Sequence, residues 1–121
     1  MNIRVDQVGG SRVAIVDSPD VVIEDVQQAL DLMATVQYNE GCDKIVIGKA
    51  NVAERFFDLS TRLAGDILQK FTNYRVKLAI VGDFDGYASK SLKDFIYECN
   101  QGKQFFFVKD ERAALDALHS A

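Results

Sequence analysis

Short β-rich runs that alternate with helix-like stretches constrain the fold of this chain more than any other feature. Five runs are apolar or alternate between apolar and polar residues: residues 3–6, 12–16, 44–47, 76–81 and 105–108. Gly9-Gly10 separates the first two runs, and this turn signal predicts a β-hairpin. Strands that alternate with helices predict a largely parallel sheet with right-handed crossovers. We therefore expect an α/β fold of order ββαβαβαβα, with a five-stranded, mixed but mostly parallel sheet and a C-terminal helix.

Apolar residues at helical spacing and capping residues predict four helices between and after these runs. The expected helix starts are residues 18–20 (Ser-Pro-Asp), Asp58, Ser89 or Ser91, and Asp110. Gly41 is expected to end the first helix, because glycine adopts the left-handed conformation common at helix ends.

The composition excludes several classes of protein. A chain of 121 residues fits one domain, residues 1–121, and can bury a core without disulfides or metal. The net charge is −4 and the lysines and arginines form no basic run, so we expect neither nucleic acid nor a membrane as a partner. No apolar run is long enough to span a bilayer, and the N-terminus lacks the apolar region of a signal peptide. We therefore expect a cytoplasmic protein.

No motif in the sequence points to a cofactor or to a resident metal. Neither of the glycine-rich nucleotide loops, GxxxxGK[ST] and GxGxxG, occurs. Cys42 and Cys99 lack metal-ligand spacing and are expected to be small apolar residues. The single histidine, His119, lies in the last helical turn, where a cation suits the helix dipole and where a Ser/His/Asp triad would depend on a frayed end. We expect no cofactor, no metal and no catalytic set.

Lys49, Asp83 and Asp85 are candidates for a ligand or cation site. They follow the runs at 44–47 and 76–81, and ligands of parallel sheets bind beyond the carboxyl ends of the strands. Two carboxylates in one loop can bind a cation or take part in acid–base chemistry. The same Asp-Phe-Asp-Gly sequence also suits an ordinary tight turn, so both interpretations stay open.

Asp58, Ser60, Thr61 and Arg62 form the most suggestive local group. They are expected to lie in the first turn of the second helix, where backbone N–H groups are unpaired and the helix dipole is positive. A phosphate on Ser60 or Thr61 would be stabilised there, with Arg62 close by. Plain helix capping explains the same residues without any phosphate.

The phenylalanines of the sequence raise the question of what buries the two faces of the sheet. Residues 105–107 are all phenylalanine, and Phe56 and Phe57 add an aromatic pair. A sheet wound in chain order places its crossover helices on one face and leaves the other open. Either further helices cover the second face, or a symmetric dimer does. Of the two, we expect a homodimer.

Several stretches of the sequence resemble an uncharacterised bacterial family, catalogued as a domain of unknown function, number 4180. The resemblance covers nearly the whole chain and rests on residues 28–34, 56–71, 74–84 and 91–98. It implies no particular substrate, cofactor or partner.

The element order is also similar to the STAS fold of anti-sigma-factor antagonists. Those domains are protein-binding switches with a phosphorylatable Ser or Thr after an Asp, at the start of the helix that follows a central strand. Asp58, Ser60 and Thr61 occupy the corresponding place, and Arg62 stands where a glycine usually follows. The resemblance implies a non-enzymatic regulatory domain that binds a protein partner. The alternative is a small-ligand-binding domain or enzyme that uses Lys49, Asp83 and Asp85.

Overall fold

The predicted order of strands and helices is present in the computed structural model, which describes all 121 residues. The strands are β1 (Asn2–Val8), β2 (Ser11–Asp17), β3 (Lys44–Gly48), β4 (Lys77–Val81) and β5 (Phe105–Val108). The helices are α1 (Val26–Thr35), α2 (Leu63–Asn73), α3 (Lys90–Gln101) and α4 (Glu111–Ser120). None of the four is long and apolar enough to cross a membrane. The predicted fold class, an α/β domain with an N-terminal hairpin, is confirmed.

The five strands lie in the sheet in the order in which they occur in the chain. β1 pairs antiparallel with β2 through the turn at Gly9-Gly10, so that Val8 faces Ser11. β2, β3, β4 and β5 follow in parallel, and each makes hydrogen bonds with the next. The hairpin and the parallel order both agree with the sequence prediction.

The crossover helices α1, α2 and α3 pack on one face of the sheet, because right-handed crossovers that always step in the same direction stay on one side. Successive strand residues point to opposite faces, so Ile45 and Ile47 face these helices while Val46 faces the other way. The larger core cluster lies under α1, α2 and α3. A second, smaller cluster forms on the opposite face.

Helix α4 alone covers that second face. It crosses β2, β3, β4 and β5, and its buried side chains Ala114, Leu115 and Leu118 pack on the strands. Phe106, which faces α4, is only 9% exposed, and no phenylalanine is among the exposed large apolar residues. Of the two expected ways to cover the sheet, the chain uses its own helix. A homodimer is therefore not needed to bury the phenylalanines.

Polar contacts with the hairpin hold both ends of α4. At the start of the helix, Arg4 bridges the carboxylates of Asp17 (2.6 Å) and Glu111 (2.7 Å), and its hydrogen bonds lower the pKa of Asp17. At the end of the helix, His119 Nε2 lies 2.7 Å from Asp6 Oδ2. Both contacts come from the α4-facing side of β1 and β2, so the hairpin sets the position of α4 over the sheet.

The first helix begins later than the sequence predicts. Residues 18–20 do not open it. The chain stays irregular up to Asp25, whose side chain accepts a hydrogen bond from Gln28 N and caps α1. Within this connection Ile23 forms an isolated parallel bridge with Val52, and tertiary contact thus overrides the Pro-Asp helix signal. The end was predicted correctly, since Gly41 has a φ of 63° and closes the π-helical turn after α1.

Helix α2 ends in a left-handed residue that is not glycine. Arg75 has a φ of 58°, Arg75 N donates to Thr72 O, and Val76 N donates back to Phe71 O at 2.9 Å. These are the hydrogen bonds of a Schellman motif, in which glycine usually takes the left-handed position. The left-handed conformation costs a residue with a Cβ about 1–2 kcal/mol.

We expect Arg75→Gly to raise the free energy of unfolding by about 0.5–1 kcal/mol. The glycine removes most of the strain, but it also increases the conformational entropy of the unfolded chain, which offsets part of the gain. Arg75→Ala removes the same charge but keeps the Cβ, so it should be less stable than the glycine variant by about 1 kcal/mol. Urea unfolding of the three proteins measures both differences. Equal stability of the glycine and alanine variants would contradict the assigned strain.

Candidate functional site

The loops after β2, β3 and β4 meet at the carboxyl edge of the sheet, and Asn51 ties the first two together. Asn51 is the one polar residue in the buried core, at 6% exposure. Its Nδ2 donates to the carbonyl oxygens of Ser18 (2.8 Å) and Asp20 (2.7 Å), and its Oδ1 accepts from Gly48 N at 3.1 Å. All the hydrogen-bonding groups of the amide are used, and this fixes the loop after β2 against the loop after β3.

The backbone around Asn51 continues the same junction. Val22 N and Ile23 N both donate to Asn51 O, at 2.7 and 3.0 Å. A Cβ at Gly48 would lie 2.9 Å from Asn51 Oδ1, so a side chain there would displace the amide. Sequence reasoning missed Asn51, because an asparagine in a polar loop gives no sign that it will be buried.

Lys49, predicted from its place after β3, points into an aromatic environment. Its stem runs against Gly82, where a Cβ would come within 2.6 Å of Lys49 Cβ. Its Nζ lies 4.8 Å from the ring centre of Tyr87 and 6.0 Å from that of Phe57. Lys49 forms no ion pair with a carboxylate, so its charge is stabilised by the faces of rings.

Four aromatic rings pack in a row next to Lys49. We call this group, Phe57, Tyr87, Phe84 and Phe107, the aromatic row. Phe57 stacks on Tyr87 at 5.5 Å between ring centres and contacts Phe84 at 5.8 Å. Phe84 in turn meets Phe107 of β5 edge to face at 5.5 Å. The row connects the loops after β3 and β4 to the core, so this part of the carboxyl edge is a rigid platform.

Glu54 contacts the aromatic row at Tyr87. The Tyr87 hydroxyl donates to Glu54 Oε1 at 2.8 Å. Burial of the ring, followed by this hydrogen bond and the negative charge of Glu54, raises the pKa of Tyr87 well above its ordinary value. Tyr87 and Glu54 were not among the predicted site residues, since 33 residues separate them in the chain.

Asp83 and Asp85 form a turn. Asp83 Oδ1 accepts from Asp85 N at 2.9 Å, and both side chains are exposed. They line an open hollow of about 500 Å³, whereas Lys49 lines a neighbouring one of about 520 Å³. The two hollows share Gly82 but no charged side chain. The carboxyl edge thus brings the three residues to adjacent strands without placing them in one hollow.

Asp58, Ser60, Thr61 and Arg62 lie before α2 and not in its first turn, which corrects the sequence prediction. Asp58 caps a separate 3-10 turn, Leu59–Thr61, and α2 begins only at Leu63. Asp58 Oδ1 accepts from Ser60 N at 3.1 Å and from Ser60 Oγ at 2.6 Å.

The two hydroxyls of this turn have different partners. Thr61 Oγ1 lies 2.8 Å from the carbonyl oxygens of Arg55 and Asp58, and it accepts from Leu63 N at 3.2 Å. Thr61 is therefore bound on both sides by the backbone and caps the start of α2. The Ser60 hydroxyl is exposed and has one partner, the Asp58 carboxylate.

A polar network at the amino edge of the sheet joins residues that are far apart in the sequence. His119 Nδ1 lies 2.8 Å from Ser11 Oγ, Lys44 Nζ donates to that same oxygen at 2.9 Å, and His119 Nε2 faces Asp6. The serine, histidine and aspartate of a triad are thus in contact, and the expected frayed end is an ordered helix. Here the lysine donates to the serine oxygen, and the network links α4 to β1, β2 and β3. Its role is therefore structural, and we call these four residues the latch.

The surroundings of both thiols disfavour the thiolate. Cys42 is buried and Cys99 half-buried, and neither forms a disulfide. Burial raises the pKa of each thiol above its ordinary value. Neither residue has the lowered pKa of a reactive cysteine.

The family model described as "Domain of unknown function (DUF4180)" matches residues 8–118. The chain belongs to this family. The match covers the last residue of β1, all of β2 and every later element, with α4 as far as Leu118. It therefore includes the carboxyl edge but not Asp6 and His119 of the latch. Searches of curated proteins and of solved structures found no match to the chain.

We expect Asn51→Ala to lower the free energy of unfolding by about 2–4 kcal/mol, because it leaves Ser18 O, Asp20 O and Gly48 N without their partner. Asn51→Asp should be at least as damaging, since a carboxylate would face two carbonyl oxygens. Asn39→Ala, at an exposed asparagine, is the matched control and should stay within about 0.5 kcal/mol of the parent. Urea unfolding measures all three, and a tolerated Asn51→Ala would contradict the junction.

Titration of tyrosinate absorbance should show a late-ionising component that disappears in Tyr87→Phe. A raised pKa means that folding favours the neutral phenol. This contribution to stability is therefore complete below the ordinary tyrosine value of about 10 and is lost as pH rises through the raised value. Glu54→Gln keeps a hydrogen-bond acceptor but removes the negative charge, the third cause of the shift, so its late component should move to lower pH. An unchanged titration in both variants would contradict the Tyr87–Glu54 contact.

Proposed function

We propose that this chain is a non-enzymatic, STAS-like regulatory domain that binds a protein partner through residues 49–62, here called the 3-10 lobe. The observation that carries the proposal is the pair Asp58–Ser60: an exposed serine hydroxyl that is hydrogen-bonded at 2.6 Å to the carboxylate that caps its own turn. A change of charge on that hydroxyl acts directly on the backbone of the lobe. The lobe is therefore a surface whose shape a single modification would alter.

The underside of the lobe supports a binding role. Phe56 and Phe57 are buried, and Asn51 fixes the first turn of the lobe to the loop after β2. Three 3-10 turns follow one another, Lys49–Asn51, Glu54–Phe57 and Leu59–Thr61. A surface that is formed before the partner arrives loses little conformational entropy on binding.

Of the two hydroxyls, Ser60 is the proposed phosphoacceptor. The Thr61 hydroxyl is held by backbone groups on both sides, so its modification would break the start of α2. A phosphate on Ser60 would stand next to the Asp58 carboxylate, and like charges at that distance repel each other. Phosphorylation would then release Asp58 from Ser60 N and loosen the turn, which gives the lobe two states.

The conformation of Arg62 supports the STAS-like part of the proposal. Arg62 has a φ of 64°, in the left-handed region that favours glycine. Glycine usually stands at this place in the STAS pattern. The backbone here suits that pattern although the side chain departs from it.

The setting of the proposal follows from the composition. With a net charge of −4 and no basic run, a protein partner is favoured over nucleic acid. A cytoplasmic location is part of the same proposal. A homodimer would need a surface other than the α4-covered face. The alternative, a ligand-binding domain or enzyme that uses Lys49, Asp83 and Asp85, has less support, since the Lys49 charge faces rings and the two carboxylates form a turn.

We expect Ser60→Asp to lower the free energy of unfolding by about 1 kcal/mol through loss of the Asp58 cap, and to lose the protein partner that the parent chain captures from its own cells. Ser60→Ala should keep the partner. Ser91→Asp, which places the same charge at another exposed serine, is the matched control. Mass spectrometry of the captured chain reports phosphate on Ser60, and hydrogen exchange of the purified complex reports protection of residues 49–62.

The proposal fails at two separate points. Capture of the same partner by Ser60→Asp, together with no phosphate on Ser60 in any growth phase, would remove the switch. Protection that falls outside residues 49–62 would remove the lobe as the binding surface.

A further inference from the structure

A basic hollow of about 340 Å³ lies at the amino edge of the sheet, the end opposite to the 3-10 lobe. Its lining residues are all polar, and three of them are cations: Thr72, Arg75, Lys77, Lys103 and Gln104. The chain as a whole carries 14 cationic and 18 acidic side chains, so a hollow lined by cations alone departs from the overall balance.

Three elements bring these residues together. Lys77 is the first residue of β4, and Lys103 and Gln104 come just before β5. β4 and β5 are parallel neighbours whose amino ends meet, with Leu78 N donating to Gln104 O at 2.9 Å. Arg75 enters from the end of α2.

The two uncharged residues of the hollow, Thr72 and Gln104, form hydrogen bonds within its floor. Gln104 Nε2 donates to Val76 O at 3.4 Å, and Thr72 Oγ1 lies 3.0 Å from Leu68 O and 3.3 Å from Gln104 Oε1. Their hydrogen bonds are made within the protein and hold the floor of the hollow in place. The groups that remain for a ligand are the three cations.

None of the three cations has an acidic partner. The ion pairs of the chain involve Arg4, Lys90 and His119, and none includes Arg75, Lys77 or Lys103. Three positive charges around one hollow repel one another, which is unfavourable for the folded chain. A bound anion would remove that repulsion.

Arg75 adds a second unfavourable term at the same place. It holds a left-handed conformation, at the end of a helix where glycine would be free of strain. A cation near a helix C-terminus suits the dipole, which stabilises Arg75 after α2 and Lys103 after α3, whereas Lys77 lies in β4. Strained residues cluster at ligand-binding sites, and the charge repulsion in the same hollow is a cost that a bound anion would remove.

We propose that the basic hollow binds the phosphate group of a small phosphorylated ligand. The Arg75 guanidinium provides two parallel donors for phosphate oxygens, and Lys77 and Lys103 provide point charges. A volume of about 340 Å³ holds a phosphate with a small organic group. This site is separate from the lobe and does not depend on its function.

Inorganic pyrophosphate is the probe, and its binding to the ¹⁵N-labelled full-length chain is followed by amide chemical shifts. We expect saturable shifts centred on residues 72–77 and 103–104. Lys77→Ala and Lys103→Ala should each weaken binding about 10-fold, the effect of losing one charge-assisted contact. Lys93→Ala, at an exposed lysine of α3 that forms no ion pair, should bind as the parent does.

The Arg75→Gly variant distinguishes a loss of ligand binding from a loss of folding stability. It should raise the melting temperature by about 2–4 °C and still weaken pyrophosphate binding about 10-fold, so the loss cannot come from unfolding. Arg75→Ala should weaken binding equally without that rise. Parent-like affinity in Arg75→Gly, or shifts spread over the lysines of α3, would overturn the proposal. It would also be overturned if single-stranded oligonucleotides bind better with each added nucleotide, because the ligand would then be a polyanion.

Discussion

The strand order of the sheet decides which parts of the chain must cover its two faces. Five strands in chain order place α1, α2 and α3 on one side, and everything on the other side rests on α4. The apolar centre of α4 supplies the attraction, while Arg4 and His119 fix its two ends to the hairpin. Without α4, the α4-facing side chains of β2 to β5 would be exposed, and the parallel sheet would have one apolar face in water.

The edges of the sheet are less uniform than its faces. At the carboxyl edge, Asn51 and the aromatic row join loops that are distant in the chain, and the result is a stiff surface with an exposed serine at its border. At the amino edge, the latch around Ser11 lies at the start of β2, and the basic hollow lies at the starts of β4 and β5. The ends of β2 and β3 therefore carry structural contacts, whereas the amino ends of β4 and β5 line the basic hollow.

The elements could be predicted from the sequence because each leaves a local signal. Alternation and apolar runs identified the strands, Gly9-Gly10 the hairpin, and Gly41 the end of the first helical segment. The start of α1 could not be predicted, since residues 18–25 are held by hydrogen bonds and a bridge to residues 51–53 and not by their own propensities. Ser60 precedes α2 for a different, local reason: a left-handed Arg62 separates two turns that the sequence pattern joins.

The candidate sites were predicted in part, for similar reasons. The rule that ligands bind at strand ends led to Lys49, Asp83 and Asp85, but not to the aromatic surroundings of Lys49. The long-range hydrogen bonds of Asn51, Tyr87 and His119 span 31 to 113 positions, and no local pattern records them. Pairwise contacts of that span are set by the packing of the sheet and its helices.

Helix α2 has a consequence for how the two ends of the molecule can communicate. It begins next to the 3-10 lobe and ends at Arg75, so its 11 residues extend over roughly 16 Å between the two proposed sites. That separation is about twice the Debye length at physiological ionic strength, so a charge added at one end is largely screened at the other. Electrostatics would leave the two sites independent. Any coupling between them would have to be mechanical, transmitted as a small axial or rotational displacement of α2 against the sheet.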